Sequence, residues 1–530
     1  MKINIFSPVP AALLLTAAIS TGCHDDNGNY SYSDLDTVVI SYDGNESGDV
    51  FTLGRGDRLV ITPDITFNGR EISDNTDAPL SYMWTFYSAS TGSGIDYTVD
   101  TLATTRQLDA VINRSAGTYY AQLTVTNANT GIESYYRATC NVEETITAGW
   151  MLIYERADMP GHSDVGLVVN PFSKKNIQSN KEFWNLYSSS NGGQPLPGQP
   201  VSIFHETIPL ASGGTPRMAT TKTISVVSTA NFSKVLDWAD MFFEAPEGDN
   251  ISWYGSCSKM GCCEGLIMDN QMRILTGQAT TGIGYFGLPK RLSTDIGTLA
   301  PWASSRCNGN AVLESVVYSQ TNGAFYYTNT SLDFHPFVAQ DPSASRFDVN
   351  DTGGAQLLFG DWGTGYHDFL LFGIGDSRYV AEANFSTTPA LPNIGLTWAD
   401  VSSAPHITEA TAFATNYIGR YAYYGAADKV YDLAYDNGRT SVVWTAPDAN
   451  EVVTCISTHK FYFTTIHAMM MPNANNVVHI ATWNPVTSQG KLYEYLINPA
   501  SGEIFTDGES YQYTVPGKVK DMCWKYEMAM

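Results

Sequence analysis

"DKVYDLAYDNGRTSVVW", residues Asp428 to Trp444, and "GKLYEYLINPASGEIF", residues Gly490 to Phe505, decide the fold of most of the chain. Each sets a tyrosine-bearing segment, a glycine-containing turn and a second β-prone segment in the same order, and "NGAFYYTNTS" around Tyr326 is a weaker third copy. Alternation of apolar and polar residues over such short segments has the period of a half-buried strand. Hairpins repeated from Gly149 to Met530 predict stacked four-stranded sheets. A β-propeller arranges such sheets without leaving edges exposed. "VKDMCWKYE", beginning at Val519, reads as the strand that completes the ring. One stretch departs from the pattern: "NFSKVLDWADMFF" places Val235, Trp238, Met241 and Phe242 at helical spacing, so an amphipathic helix making core contacts is expected over Asn231 to Phe243.

Composition agrees with an all-β chain of more than one domain. Among 530 residues there are 31 Tyr, 11 Trp and 45 Gly, while only 15% are charged, which favours strands joined by many turns. The 53 acids against 29 bases give a formal charge of −24, which repels phosphate backbones and excludes nucleic acid as a partner. Seven cysteines follow Cys23, an odd number, so at least one thiol is expected to stay free. Cys257, Cys262 and Cys263 form a C-x4-C-C group without a fourth ligand nearby in sequence. They are read as a local disulfide or buried thiols, with no metal and no cofactor.

Ahead of the repeats, "TVVISY", "RLVITPDITF", "LSYMWTFY", "TYYAQLTVTN" and "YYRATCNVEE" are short alternating strands separated by Gly, Asn and Asp clusters. This spacing argues for a β-sandwich ending near Thr145. Trp84 in "YMWTF" and the late strand of "SAGTYYAQLTVTN" (Ser115 to Asn127) resemble the PKD-type immunoglobulin-like domain, in which a core tryptophan faces a Gly-x-Tyr-x-x-x-Leu-x-Val strand. The usual Asp-Phe-Gly-Asp-Gly stretch is replaced by "TFYSASTG", so the module is more similar to the divergent PKD-like one of Bacteroidota lipoproteins. Trp84 is read as a core residue.

The N-terminus reads as an address. Lys2, the apolar run Ala11 to Ile19 and the small residues before Cys23 describe a secretory signal peptide, too short to span a bilayer. "STGC" resembles the bacterial lipobox, which implies diacylation of Cys23 and anchorage by lipid. Asp25 and Asp26 just behind it look like the surface-export signal of Bacteroidota lipoproteins. The expected organisation is therefore a signal peptide over 1–22, a lipidated flexible tether over 23–36, a PKD-like sandwich over 37–145 and a β-propeller-like domain over 146–530.

No catalytic motif meets its context test. "GIGYFG" from Gly282 has the glycine spacing of a dinucleotide loop but neither the preceding strand nor the following helix, since Pro289 stands there. "GHSDVG" from Gly161 is one residue too long for a nucleophile elbow and reads as a hairpin turn, and His205 in "HETIP" lacks a second histidine. No catalytic residue is assigned. Candidate ligand-binding residues are Asp361, Trp362, Tyr366 and His367, beside Asp368 in "FGDWGTGYHDF", together with Trp253, Tyr254 and Trp302. Planar Trp and Tyr faces suit sugar rings or extended peptides, although packing uses the same residues.

Leader, tether, sandwich and long β-rich region, in that order, resemble the PKD-like lipoprotein family of Bacteroidota. The resemblance implies an accessory lipoprotein of the outer membrane, facing the cell exterior, that captures or presents a glycan or peptide to a Sus-type (starch-utilisation) transporter and its lid lipoprotein. A non-enzymatic binding or scaffolding role is the first expectation. A surface propeller hydrolase or lyase is the alternative, and bracing of a complex through the sandwich is a third.

Overall fold

The computed structural model describes residues 36–73, 78–89, 99–112, 114, 116–143, 146, 148–175, 180–206, 214–244, 246–257, 263–276, 285–290, 296–306, 313–460 and 471–526. The leader, Cys23, Asp25, Asp26, Cys262, Cys307 and the first residues of the "GIGYFG" loop lie outside them, as does the Cys263 side chain. Among the described residues no helix is long and apolar enough to cross a membrane. The chain divides into two compact units, one formed by residues up to Leu53 with 57–112 and 117–141, the other chiefly by Val142–Met530.

The first unit holds a five-stranded sheet in the order Val50–Gly54, Glu133–Glu143, Gly117–Asn127, Leu80–Ser88, Asp100–Ala103. A three-stranded sheet (Val38–Ser41, Asp64–Phe67, Arg70–Glu71) and the pair Arg58–Ile61 with Leu108–Val111 complete it. Period-2 alternation sends Trp84, Phe86, Leu123 and Val125 inward with Ile61 and Ile65. Trp84 is fully buried; its Nε1 donates to the Arg106 carbonyl at 3.1 Å and its ring meets Tyr136 edge-on. That ring is a core residue, as its mid-strand position predicts.

The second unit is a ring of seven sheets among the described residues. In blades 2 to 7 the chain runs outward from an inner strand: Pro200–Glu206, Ile251–Ser256, Leu299–Ala303, Gln356–Trp362, Ala412–Thr415 and Val452–Thr458. Blade 1 takes its inner strand, Gly517–Lys525, from the other end of the chain and pairs it antiparallel with Gly149–Arg156, Trp150 opposite Trp524. His162–Val169 and Lys181–Phe183 finish that blade. The closing-strand reading of "VKDMCWKYE" holds: removal of the last strand would unpair the first.

Both faces of each blade are covered by neighbours, so the central strands are apolar on both sides. Within Asp368–Ile374, Leu370 and Phe372 face the blade 4 core with Phe325 and Tyr318, while Phe369 and Leu371 face blade 6 with Ala422 and Tyr424. A separate buried cluster fills every one of the seven blade interfaces, including that between blades 7 and 1, where Trp150, Leu152 and Tyr154 meet Cys455, Ala481 and Leu492. Side chains also fasten neighbouring inner strands. Asp361 accepts the Thr415 N–H of the next blade at 2.8 Å and its own following N–H at 2.9 Å. Asp521 does the same with Ile203 at 2.8 Å and Met522 at 2.9 Å.

Two expectations change. Asn231 to Phe243 is not a helix: Lys234–Leu236 is the outer strand of blade 2, and Trp238–Met241 is one 3-10 turn. Edge pairing with Ile224–Val227 outweighs the helical spacing, and extended Asp237 separates strand from turn; Met241 and Phe242 still reach the core. In "GHSDVG" only Gly161 is in a turn, at φ +78°, and His162–Val169 continues as a strand.

Candidate functional site

The loop after the inner strand of blade 5 gathers several of the sequence candidates. Gly365 and Tyr366 both adopt positive φ, and a side chain at Gly363 would strike the Phe369 ring at 2.8 Å, so the glycines let the chain turn tightly from Trp362 to Asp368. Trp362 has the Arg306 guanidinium 4.2 Å from its ring centroid and the Lys460 ammonium at 5.0 Å. Tyr366 stacks near it at 6.1 Å and Tyr417 lies 5.3 Å from Tyr366. Lys460 pairs with Asp361 and donates to the Trp362 carbonyl at 2.7 Å.

Electrostatics here are set by burial. Asp368 is 1% exposed; burial pushes its carboxyl up to about 7, against Ser304 Oγ, which donates to Oδ2 at 2.7 Å. Its Oδ1 has no hydrogen-bond partner among the described residues. Lys460 is lowered by the same desolvation, partly offset by Asp361. His367 turns to another strand, where its Nδ1 lies 2.7 Å from Glu382 Oε1. Burial raises the Glu382 carboxyl, but His367 and Arg420 outweigh it and leave it below its ordinary value.

Asp361, Trp362 and Tyr366 thus come together with Arg306, Lys460 and Tyr417, which the sequence does not connect. Trp302 lies in the core between blades 4 and 5, and Tyr254 in that between blades 2 and 3, its hydroxyl on Glu264 at 2.7 Å. Tyr254, Trp302 and Trp362 are each less than a tenth exposed. Trp253 is half-buried and packs over Gly255 and Gly265.

A wider opening lies elsewhere. At the starting ends of the inner strands of blades 1, 2, 6 and 7 is a cavity of about 700 Å³, lined among others by Gln199, Thr411, Thr454, Trp483, Lys518 and Lys520. Thr454 lies near the start of Val452–Thr458, whose far end leads to Lys460, so pocket and blade 5 loop occupy opposite ends of the ring, roughly 20 Å apart. Sequence reading missed this site because its residues come from four blades. The available signal was "GKVKDM", in which Lys518 and Lys520 alternate with buried Val519. Asp521, next in the strand, is pushed up to about 6 by burial. A second cavity, about 520 Å³, lies in the sandwich unit beside Tyr82, Arg106 and Asp109. Among the described residues no three metal-ligating side chains converge.

The architecture defines an all-β protein, a PKD-like sandwich unit followed by a propeller-like ring. Residues 23–200 match the family model described as PKD-like family, a match that runs beyond the sandwich into the first blade. No curated protein matches the chain. Among solved structures, a quinonprotein alcohol dehydrogenase-like protein from Bacteroides thetaiotaomicron is similar at 10% identity and TM-score 0.42, covering 90% of this chain and 96% of that one. A dihydro-heme d1 dehydrogenase is similar at 11% identity and TM-score 0.37, covering 72% and 76%. A calcium-binding regucalcin from Agrobacterium tumefaciens is similar at 10% identity and TM-score 0.28, covering 51% and 77%. Likenesses this distant bear on neither activity nor ligand.

Proposed function

We propose that the chain is a surface-exposed outer-membrane lipoprotein that binds a glycan or peptide nutrient without cleaving it, as an accessory subunit beside a Sus-type transporter and its lid lipoprotein. The cavity at the ring mouth carries the reading. Its volume of about 700 Å³ is that of a ligand site, and its lining combines an indole, hydroxyls, an amide and two lysines. The "STGC" leader and the acids Asp25 and Asp26 support anchorage at Cys23 and exposure on the cell surface.

The test is a titration of the full chain against neutral and acidic polysaccharides and oligopeptides, repeated with Trp483→Ala. Binding that falls with the substitution, protease shaving of the protein from intact cells and acyl labelling lost in Cys23→Ser are the expected results. Absence of any ligand together with absence of a co-purifying transporter would end the proposal. The alternative of a surface hydrolase or lyase would rest on Glu155, the one carboxylate among the described residues that line the cavity. Steady product release from a bound polymer, abolished by Glu155→Gln, would establish that alternative instead.

A further inference from the structure

We infer that the ring-mouth cavity takes a carboxylate-bearing saccharide, held through Lys518 and Lys520. The inference rests on the binding role proposed for that cavity and specifies its ligand. In a chain with 53 acids and 29 bases, lysines are readily drawn into ion pairs. Lys222, Lys234, Lys290, Lys429, Lys460 and Lys491 all sit in ion pairs. Lys518 and Lys520 form no ion pair among the described residues; Glu155 stands opposite Lys518 in the strand register and Lys520 favours the ionised form of Asp521, yet both lysines are exposed and both line the cavity. They are two residues apart on one strand, roughly 7 Å from each other, with Lys520 at the bulge opposite Ile153 and Tyr154, and both side chains reach the cavity. Cations facing a concave, low-dielectric site attract an anion more strongly than the same cations on an open surface.

The rest of the lining selects a sugar. Trp483, half-buried, and the rings of Pro200 and Pro485 offer flat apolar faces, while Gln199, Thr411 and Thr454 offer hydrogen-bonding groups. Thr411 already donates to the Val453 carbonyl at 2.6 Å, so its oxygen is left to accept from a ligand hydroxyl. Glu155, the one carboxylate among the described lining residues, accepts the Gly161 N–H at 3.0 Å through one oxygen and stands opposite Lys518 in the strand register. Among the described residues no arginine lines the cavity, so none of them offers the bidentate fork that suits sulfate and phosphate esters.

The experiment is calorimetric titration of the full chain with oligogalacturonate, oligoalginate and hyaluronan fragments, with carboxyl-reduced oligogalacturonate and with a carboxylate-free sulfated galactan oligomer. At least one carboxylated oligomer is expected to bind with an affinity that falls as salt rises, and to lose on the order of tenfold in Lys518→Ala/Lys520→Ala. Because these lysines are exposed and form no ion pair among the described residues, the double variant should keep its unfolding midpoint. Binding of the reduced or sulfated oligomer as tight as that of the acid form, or an unchanged affinity in the double variant, would overturn the carboxylate inference while leaving the cavity a binding site. If a peptide or neutral glycan binds and Trp483→Ala weakens it, but no carboxylated oligomer binds, the inference fails and the broader reading stands. If nothing binds and Trp483→Ala changes nothing, both fail.

Discussion

Replacing Asp368 by Asn should flatten the response of stability to pH. The carboxyl opens the second strand of blade 5, 1% exposed, with Ser304 donating to Oδ2 and no partner for Oδ1 among the described residues. Burial, reinforced by Asp361, raises it from 3.8 to about 7, against Ser304, Arg306 and Lys460, which favour the ionised form. Below pH ~4 the group is protonated in both folded and unfolded chains and takes nothing from stability. Between there and pH 7 the unfolded chain releases the proton while the folded one keeps it, so stability falls as pH rises and levels off above 7. With ~1.4 kcal/mol for each tenfold change in proton affinity, the loss reaches roughly 4 kcal/mol as an upper bound. Asparagine keeps the shape and can accept from Ser304 but does not ionise. Urea unfolding of both proteins, followed by tryptophan fluorescence at pH 5 and pH 8, should show Asp368→Asn gaining on the wild type by about 2 to 4 kcal/mol over that interval. Parallel pH profiles would refute the assignment of a protonated Asp368, whatever the absolute stability of the variant.

Arg217→Met should destabilise by about 3–5 kcal/mol, because it strands Glu264, whose Oε2 lies 2.9 Å from Arg217 Nη1 in the blade 2–3 interface. Adding Glu264→Gln should recover part of the loss; a double variant as unstable as the sum of both singles would count against an uncompensated charge as the cause. Gly166→Ala should lower the thermal midpoint, since the new methyl would lie 2.5 Å from the Trp184 ring and 3.2 Å from Leu152, an overpacking worth about 1–3 kcal/mol. An unchanged midpoint there would show that Trp184 has room to move.

The propeller-like class was legible because its strands carry their own period. All three repeat copies fall on the third strand of a blade: Ala324–Thr328, Lys429–Ala434 and Gln489–Leu496. The second halves of the copies are less alike. After Lys429–Ala434 comes the outer strand Thr440–Thr445, but "GEIF" supplies only the bridge Ile497 to Ile504, and blade 7 takes its outer strand from Ser510–Val515. A turn-strand pattern is local, whereas the choice of outer strand depends on which segment reaches the edge. The helix expected near Trp238 failed for the same reason, because the spacing of four apolar residues cannot register an open sheet edge beside them. Site residues were legible only where they are neighbours in sequence. Asp361, Trp362 and Tyr366 form one cluster, yet Arg306, Tyr417 and Lys460, which complete it, come from three other blades.

The two ends of the ring separate by how far their polar groups are already committed. Around Trp362, Lys460 has Asp361 and a carbonyl, Asp361 has two backbone N–H groups, and Glu382 has His367 and Arg420. A ligand arriving there would have to replace interactions that the fold already makes, so the net gain per contact would be small. At the opposite mouth, Lys518 and Lys520 are exposed and form no ion pair among the described residues, so an anion there has water and counterions to displace and Glu155 as its competitor. The aromatic and acidic residues that stand out in the sequence are therefore those the ring uses to fasten its own strands. The plainer lysines of the closing strand keep their binding capacity because no ion pair among the described residues has used it.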